Sequence, residues 1–113
     1  MAALGVIMGA FGAHGLESQL SADRLEIYKT AVDYHLYHAL GLIVLGTVIK
    51  VTESSLLLLW SASIMLAGIV LFSGSLYLLT LTGLSWLGAV APFGGTAFII
   101  AWLLFAIGMW RTR

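Results

Sequence analysis

Three histidines carry most of the reactive chemistry in this chain: His14 in "GAFGAHGLESQL", and His35 and His38 in "VDYHLYHAL". Positions 35 and 38 are three apart, so on a helix they share a face, as zinc or iron ligation requires. A third imidazole from a neighbouring helix would complete a ligand set. One helix cannot place its two histidines on opposite sides of a haem, so bis-histidine ligation would need His14 facing His35 or His38. Tyr34, Tyr37 and Glu17 lie close by in the sequence and add phenol and carboxylate groups. The candidate polar site is His14, Tyr34, His35 and His38. Three readings compete for it: a metal or haem site at His14, His35 and His38; a proton-carrying or quinone-contacting site; and hydrogen bonding at a membrane boundary with no cofactor. The third asks least of the residues, because a neutral imidazole, like a tyrosine, is an inexpensive polar group at headgroup depth. The absence of cysteine excludes thiolate metal sites, disulfides and thiol redox chemistry.

The elements that must position these side chains are membrane helices. Of 113 residues, 61% are hydrophobic and 9% charged, and the mean hydropathy is +1.07, far from the roughly 25% charged residues of a soluble domain. Five basic and five acidic residues cancel, so no basic surface points to nucleic acid. The charge-free run 56–81, "LLLLWSASIMLAGIVLFSGSLYLLTL", exceeds the roughly 20 residues that cross a bilayer and must tilt or protrude. A second span, 93–110, follows Pro92 at a position suited to a first helical turn and ends in the basic anchor "RTR". The glycine-rich "TGLSWLGAVAPFGG" between them reads as an interfacial turn, with a shallow re-entrant piece as its alternative.

The apolar run 39–49 is too short to cross alone. The preceding residues extend it with helical periodicity: Leu25, Tyr28, Val32, His35, Ala39 and Leu42 fall on one face, and Glu26, Lys29, Thr30 and Asp33 on the other. One long helix is expected from Ala22 to Lys50, capped by Ser21, with an i,i+4 pair of Lys29 and Asp33. Its part 22–33 is an amphipathic extension and its part 34–50 crosses the membrane. The first span, 1–15, falls below the usual minimum of about 17 residues, so it is short or N-terminally truncated. A signal peptide is the rival reading of that segment, but it lacks the Lys or Arg of an n-region. The expected fold class is all-α, a single-domain membrane four-helix bundle of antiparallel up-down hairpins, 1–113. In such a hairpin His14, ending the first helix, approaches His35 and His38. Gly68, Ser73, Gly74, Ser75, Gly94 and Gly95 are the expected helix-packing residues, because small side chains let backbones approach and serines bond across helices.

The runs "GAFGAHGL", "IYKTAVDYHLYHAL", "LFSGSLYLL" and "LGAVAPFGGTAFIIAW", in that order, resemble the small bacterial membrane family called domain of unknown function 423, related to the transmembrane protein 256 group. The likeness covers nearly the whole chain. It implies a four-helix protein of the bacterial inner membrane, with members carrying further apolar residues ahead of "GAFGAHG", so that this chain starts late. It brings no activity, substrate or cofactor.

Two classes of function follow. In the first, the chain is a non-catalytic component or assembly partner of a membrane complex, its partners being the lipid bilayer and a membrane protein or further copies of itself. In the second, it is a small redox, quinone- or haem-binding or transport protein built on His14, His35 and His38, because ionisable side chains at membrane depth are otherwise costly. Lys50, Arg111 and Arg113 against Arg24 and Lys29 place both termini in the cytoplasm.

Overall fold

The computed structural model describes residues 1–52 and 55–112. Four α-helices follow one another: α1 (Ala2–Phe11), α2 (Ala22–Val51), α3 (Leu56–Thr82) and α4 (Ala91–Arg111). A π-helical turn, Gly12–Leu16, continues α1, and a 3-10 turn, Ser85–Ala89, leads into α4. No strand occurs among the described residues. The longest dimension is 50 Å, which exceeds the roughly 30 Å thickness of a bilayer's hydrocarbon layer. The helices α2 and α3, and the stretch Ser85–Arg111, are each long and apolar enough to cross a membrane; Ala2–Leu16 is a shorter apolar helix.

Local chemistry sets the boundaries. Ser21 and Ser55 accept the backbone N–H groups of Arg24 and Leu58, each at 3.3 Å, and so cap α2 and α3. Gly83, at φ 76°, ends α3 in the left-handed conformation that glycine adopts without cost. Pro92 stands in the first turn of α4, where no intrahelical N–H is needed. The helix that begins at Ala22 runs unbroken through the expected extension 22–33 into the apolar stretch. Tyr28, Val32, His35 and Ala39 are buried, whereas Glu26, Lys29 and Asp33 are exposed. The expected Lys29–Asp33 ion pair does not form, and no ion pair is present among the described residues. Both side chains are exposed, and between exposed side chains such a pair contributes little. Of the terminal basic anchor, Arg113 lies outside the described residues.

The packing runs in chain order: α1 lies on α2, α2 on α3, and α3 most closely on α4. Two of the expected small residues hold the last contact. A Cβ on Gly94 would stand 2.4 Å from the Phe72 backbone nitrogen, and one on Gly68 would stand 2.7 Å from the Phe98 ring. Gly95 and Gly74 behave differently. Gly95 has only an ordinary contact with Phe72, and a Cβ on Gly74 would meet nothing within 4 Å. Gly74 is half-buried, at the edge of a groove that Leu4 and His35 also line, with room for a side chain that no other helix of the chain fills.

Candidate functional site

The hairpin of α1 and α2 positions the histidines, and its register is set by glycines. Gly5 faces Leu36 and His35, Gly9 faces Val32, and Gly12 faces Tyr28. These three recur at four and three, so α1 presents a glycine face to α2 over two turns. That register corrects one expectation. His14 is exposed within the π-helical turn, nine residues beyond Gly5, and so roughly 13 Å along the axis from the level of His35. His38 lies a further turn away. Helices that pair antiparallel with Gly5 beside His35 cannot bring His14 there as well, so the three imidazoles do not form one ligand set. No group of three His, Cys, Asp or Glu side chains able to hold a metal ion occurs among the described residues.

His35 is 2% exposed and bonded at both ring nitrogens. Its Nε2 lies 3.1 Å from the Met1 carbonyl oxygen, and its Nδ1 lies 3.0 Å from the Tyr77 hydroxyl. A carbonyl can only accept, so Nε2–H donates to Met1, and in the neutral ring Nδ1 accepts the Tyr77 O–H. The Tyr77 ring packs against Tyr28 at 5.3 Å, and the Tyr28 hydroxyl donates to the Met8 carbonyl at 2.6 Å. Tyr28, Tyr77 and His35 thus form one connected group that ties α1 to α2 and α3. Beside it Ser73 donates to the Ala31 carbonyl at 2.7 Å and links α3 to α2. Ser75, by contrast, bonds within its own helix, to Phe72.

His38 belongs to a second group. Its Nδ1 lies 2.7 Å from the Tyr34 carbonyl, one turn back on α2. Its ring stacks on Phe98 of α4 at 3.5 Å and 8°, with Trp102 and Tyr34 at 6.0 and 5.9 Å. Tyr34 enters the site through its backbone carbonyl and its ring. Its phenol makes no hydrogen bond among the described residues.

Among the described residues, no buried side-chain nitrogen or oxygen lacks a hydrogen-bond partner. The grooves on the surface are apolar. One of about 180 Å³ is lined by Leu4, His35, Ile69, Ser73, Gly74 and Tyr77, and another of about 340 Å³ lies between Gly74, Leu78 and Trp86. Tyr77 was not among the residues singled out from the sequence. The signal for its partners was present, because Tyr28 and His35 are seven apart and share a helix face, but nothing in spacing places residue 77 beside them.

The comparisons agree with this architecture. Residues 8–95 match the family model described as "Protein of unknown function (DUF423)". The "UPF0382 membrane protein YwdK" of Bacillus subtilis is 47% identical over 106 residues, covering 94% of this chain and 86% of the relative. The "UPF0382 membrane protein SSP2132" of Staphylococcus saprophyticus is 44% identical over 110 residues, covering 97% and 90%. The "UPF0382 membrane protein SERP0230" of Staphylococcus epidermidis is 47% identical over 106 residues, covering 94% and 85%. No solved structure matches the chain. An all-helical membrane architecture, a family match over most of the length and relatives approaching half identity together show that the chain belongs to the DUF423 family of multi-pass bacterial membrane proteins.

Proposed function

We propose that this protein is a non-catalytic helical component of a membrane complex, seated on a partner membrane protein through the face of α3 around Gly74. Gly74 carries this reading. The glycines that pack inside the chain, Gly68, Gly94 and Gly108, each have a neighbour where a Cβ would stand, whereas Gly74 has open space and a groove on either side. In lipid, apolar burial gives helices little reason to associate; close backbone approach at small residues does. The bonding of His35 at both nitrogens and the separation of His14 from it support a structural role for the polar groups rather than a shared reaction centre.

The partner is a transmembrane helix laid along the grooves beside Gly74. Gly74→Leu would fill the approach and release the complex from mild-detergent extracts, while unfolding of the chain itself stays unchanged. Gly94→Ala, which sets a methyl group against the Phe72 backbone, would destabilise the fold by about 1–3 kcal/mol. Migration of the wild type alone, at its own mass, after gentle extraction of native membranes would contradict the proposal. The same reading places the termini in the cytoplasm, with Lys50 and Arg111 at that face. A C-terminal reporter active only in the periplasm would reverse the orientation.

A further inference from the structure

His38 differs from His35 in one respect that the packing does not absorb. Its Nδ1–H is committed to the Tyr34 carbonyl, because the carbonyl can only accept. In the neutral ring Nε2 is therefore an acceptor, and no group among the described residues donates to it. The side chain is 6% exposed, and no buried side-chain nitrogen is left unpartnered, so this one atom opens at the surface of the α2–α4 seam. Stacking on Phe98 at 3.5 Å fixes the ring and hence the direction of Nε2. Around it Tyr34 and Trp102, each 41% exposed, offer aromatic surface to the outside. Both helices are long and apolar enough to cross a membrane, and lipid tails supply no donor to a ring nitrogen.

We propose that the His38 seam binds a lipid-soluble aromatic hydroxyl compound of the hydroquinone class, its O–H donating to Nε2 and its ring lying against Tyr34 and Trp102. Such a molecule matches the two features present, a single fixed acceptor and flat apolar walls. The tautomer makes the site selective. A hydroquinone has the hydrogen to donate, whereas the corresponding quinone presents only carbonyl oxygens, which face the lone pair of Nε2 with nothing to share. Binding alone is inferred; the site rests on His38 and is independent of the Gly74 face.

The test uses the full chain in lipid nanodiscs, with histidine labelled by nitrogen-15, under anaerobic conditions, titrated with a short-chain benzohydroquinone or the matching benzoquinone. The resonance of the unprotonated His38 nitrogen should move toward the protonated range with the hydroquinone and stay in place with the quinone. The hydroquinone should bind about tenfold more tightly, the order expected for one hydrogen bond in an apolar site. His38→Phe, which keeps a ring on Phe98, should erase that preference, and Tyr34→Phe should keep it because the backbone carbonyl remains. An equal response to both forms, or none to either, would overturn the proposal. So would a shift already present without ligand and lost on dilution into excess lipid, which would assign the donor to a second copy of the chain.

Discussion

The two halves of the molecule are held together by different means. Towards the α2–α3 connection the core is aliphatic: Leu45, Leu58, Met65 and Ala101 are fully buried and packed by Leu42, Val48 and Phe105. Towards the other side the buried residues are Tyr28, Val32 and Leu16, with Tyr77 and Met8 against them, and hydroxyl and imidazole groups reach across to backbone carbonyls and to one another. The aliphatic half joins three long helices, whose surfaces are large enough to be matched by shape. The polar half must also hold α1, which is short and offers α2 a face of glycines. Glycines allow close approach but bring little side-chain surface, so directional bonds to the α1 backbone supply what dispersion cannot.

This contrast can be broken at its strongest point by Leu45→Ala. Lipid removes most of the transfer penalty, leaving the cavity, so the expected loss is about 2 kcal/mol, at the low end of the range for buried leucines. Unfolding in mixed micelles would measure it, with the exposed Ile43 as a control expected to change little. A negligible loss at Leu45 would mean that shape matching does not hold the aliphatic half.

A smaller effect separates the histidines. His35→Ala removes two bonds that reach α1 and α3 and should cost about 1 kcal/mol, with hydrogen exchange rising in α1 before α4. His14→Ala, at an exposed position, should stay within about 0.5 kcal/mol. Equal losses from the two would dissolve the distinction between a pinning and a boundary histidine.

The smallest expected effect tests whether the halves differ in kind or only in number of bonds. Ser61 donates to the Ala101 carbonyl at 2.7 Å in the aliphatic half, as Ser73 does to Ala31 in the polar half. Each serine replaced by alanine should cost about 0.6 kcal/mol, the average for such bonds between membrane helices. A much larger loss at Ser73 would show that its bond is coupled to the tyrosine–histidine group beside it.

Periodicity in the sequence was enough to place the long helices and the buried face of α2, because Tyr28, Val32, His35 and Ala39 recur with the helical repeat and the charges fall opposite. The Ser21 cap and the position of Pro92 were legible for the same reason: they are local. The relation between helices was not. Whether His14 or Gly5 stands beside His35 depends on the register of two helices, and a helical repeat carries no information about where its partner begins. Gly74 shows the same limit: the stretch "SGS" announces close packing, but only the azimuth of α3 decides that no helix of its own chain fills the space beside Gly74. Of the four candidate residues, His35, His38 and the Tyr34 backbone carbonyl make hydrogen bonds inside the bundle, while the contact with Tyr77 and the distance of His14 from His35 follow from tertiary fit alone.

The bonds that fasten α1 end on carbonyl oxygens, those of Met8 and Met1, and every amino acid supplies the same oxygen. Mutational tolerance along α1 should therefore be uneven. Position 8 can change identity without loss of the bond that reaches its carbonyl, whereas Gly12, where a methyl group would meet the buried Tyr28 ring, cannot change cheaply, and Gly5 can change only if the tip of Leu36 moves aside. A saturation library of this helix would show the bond to residue 8 surviving every apolar replacement that fills the place of the Met8 side chain against Tyr28 and Val32, with Gly12 the least tolerant site.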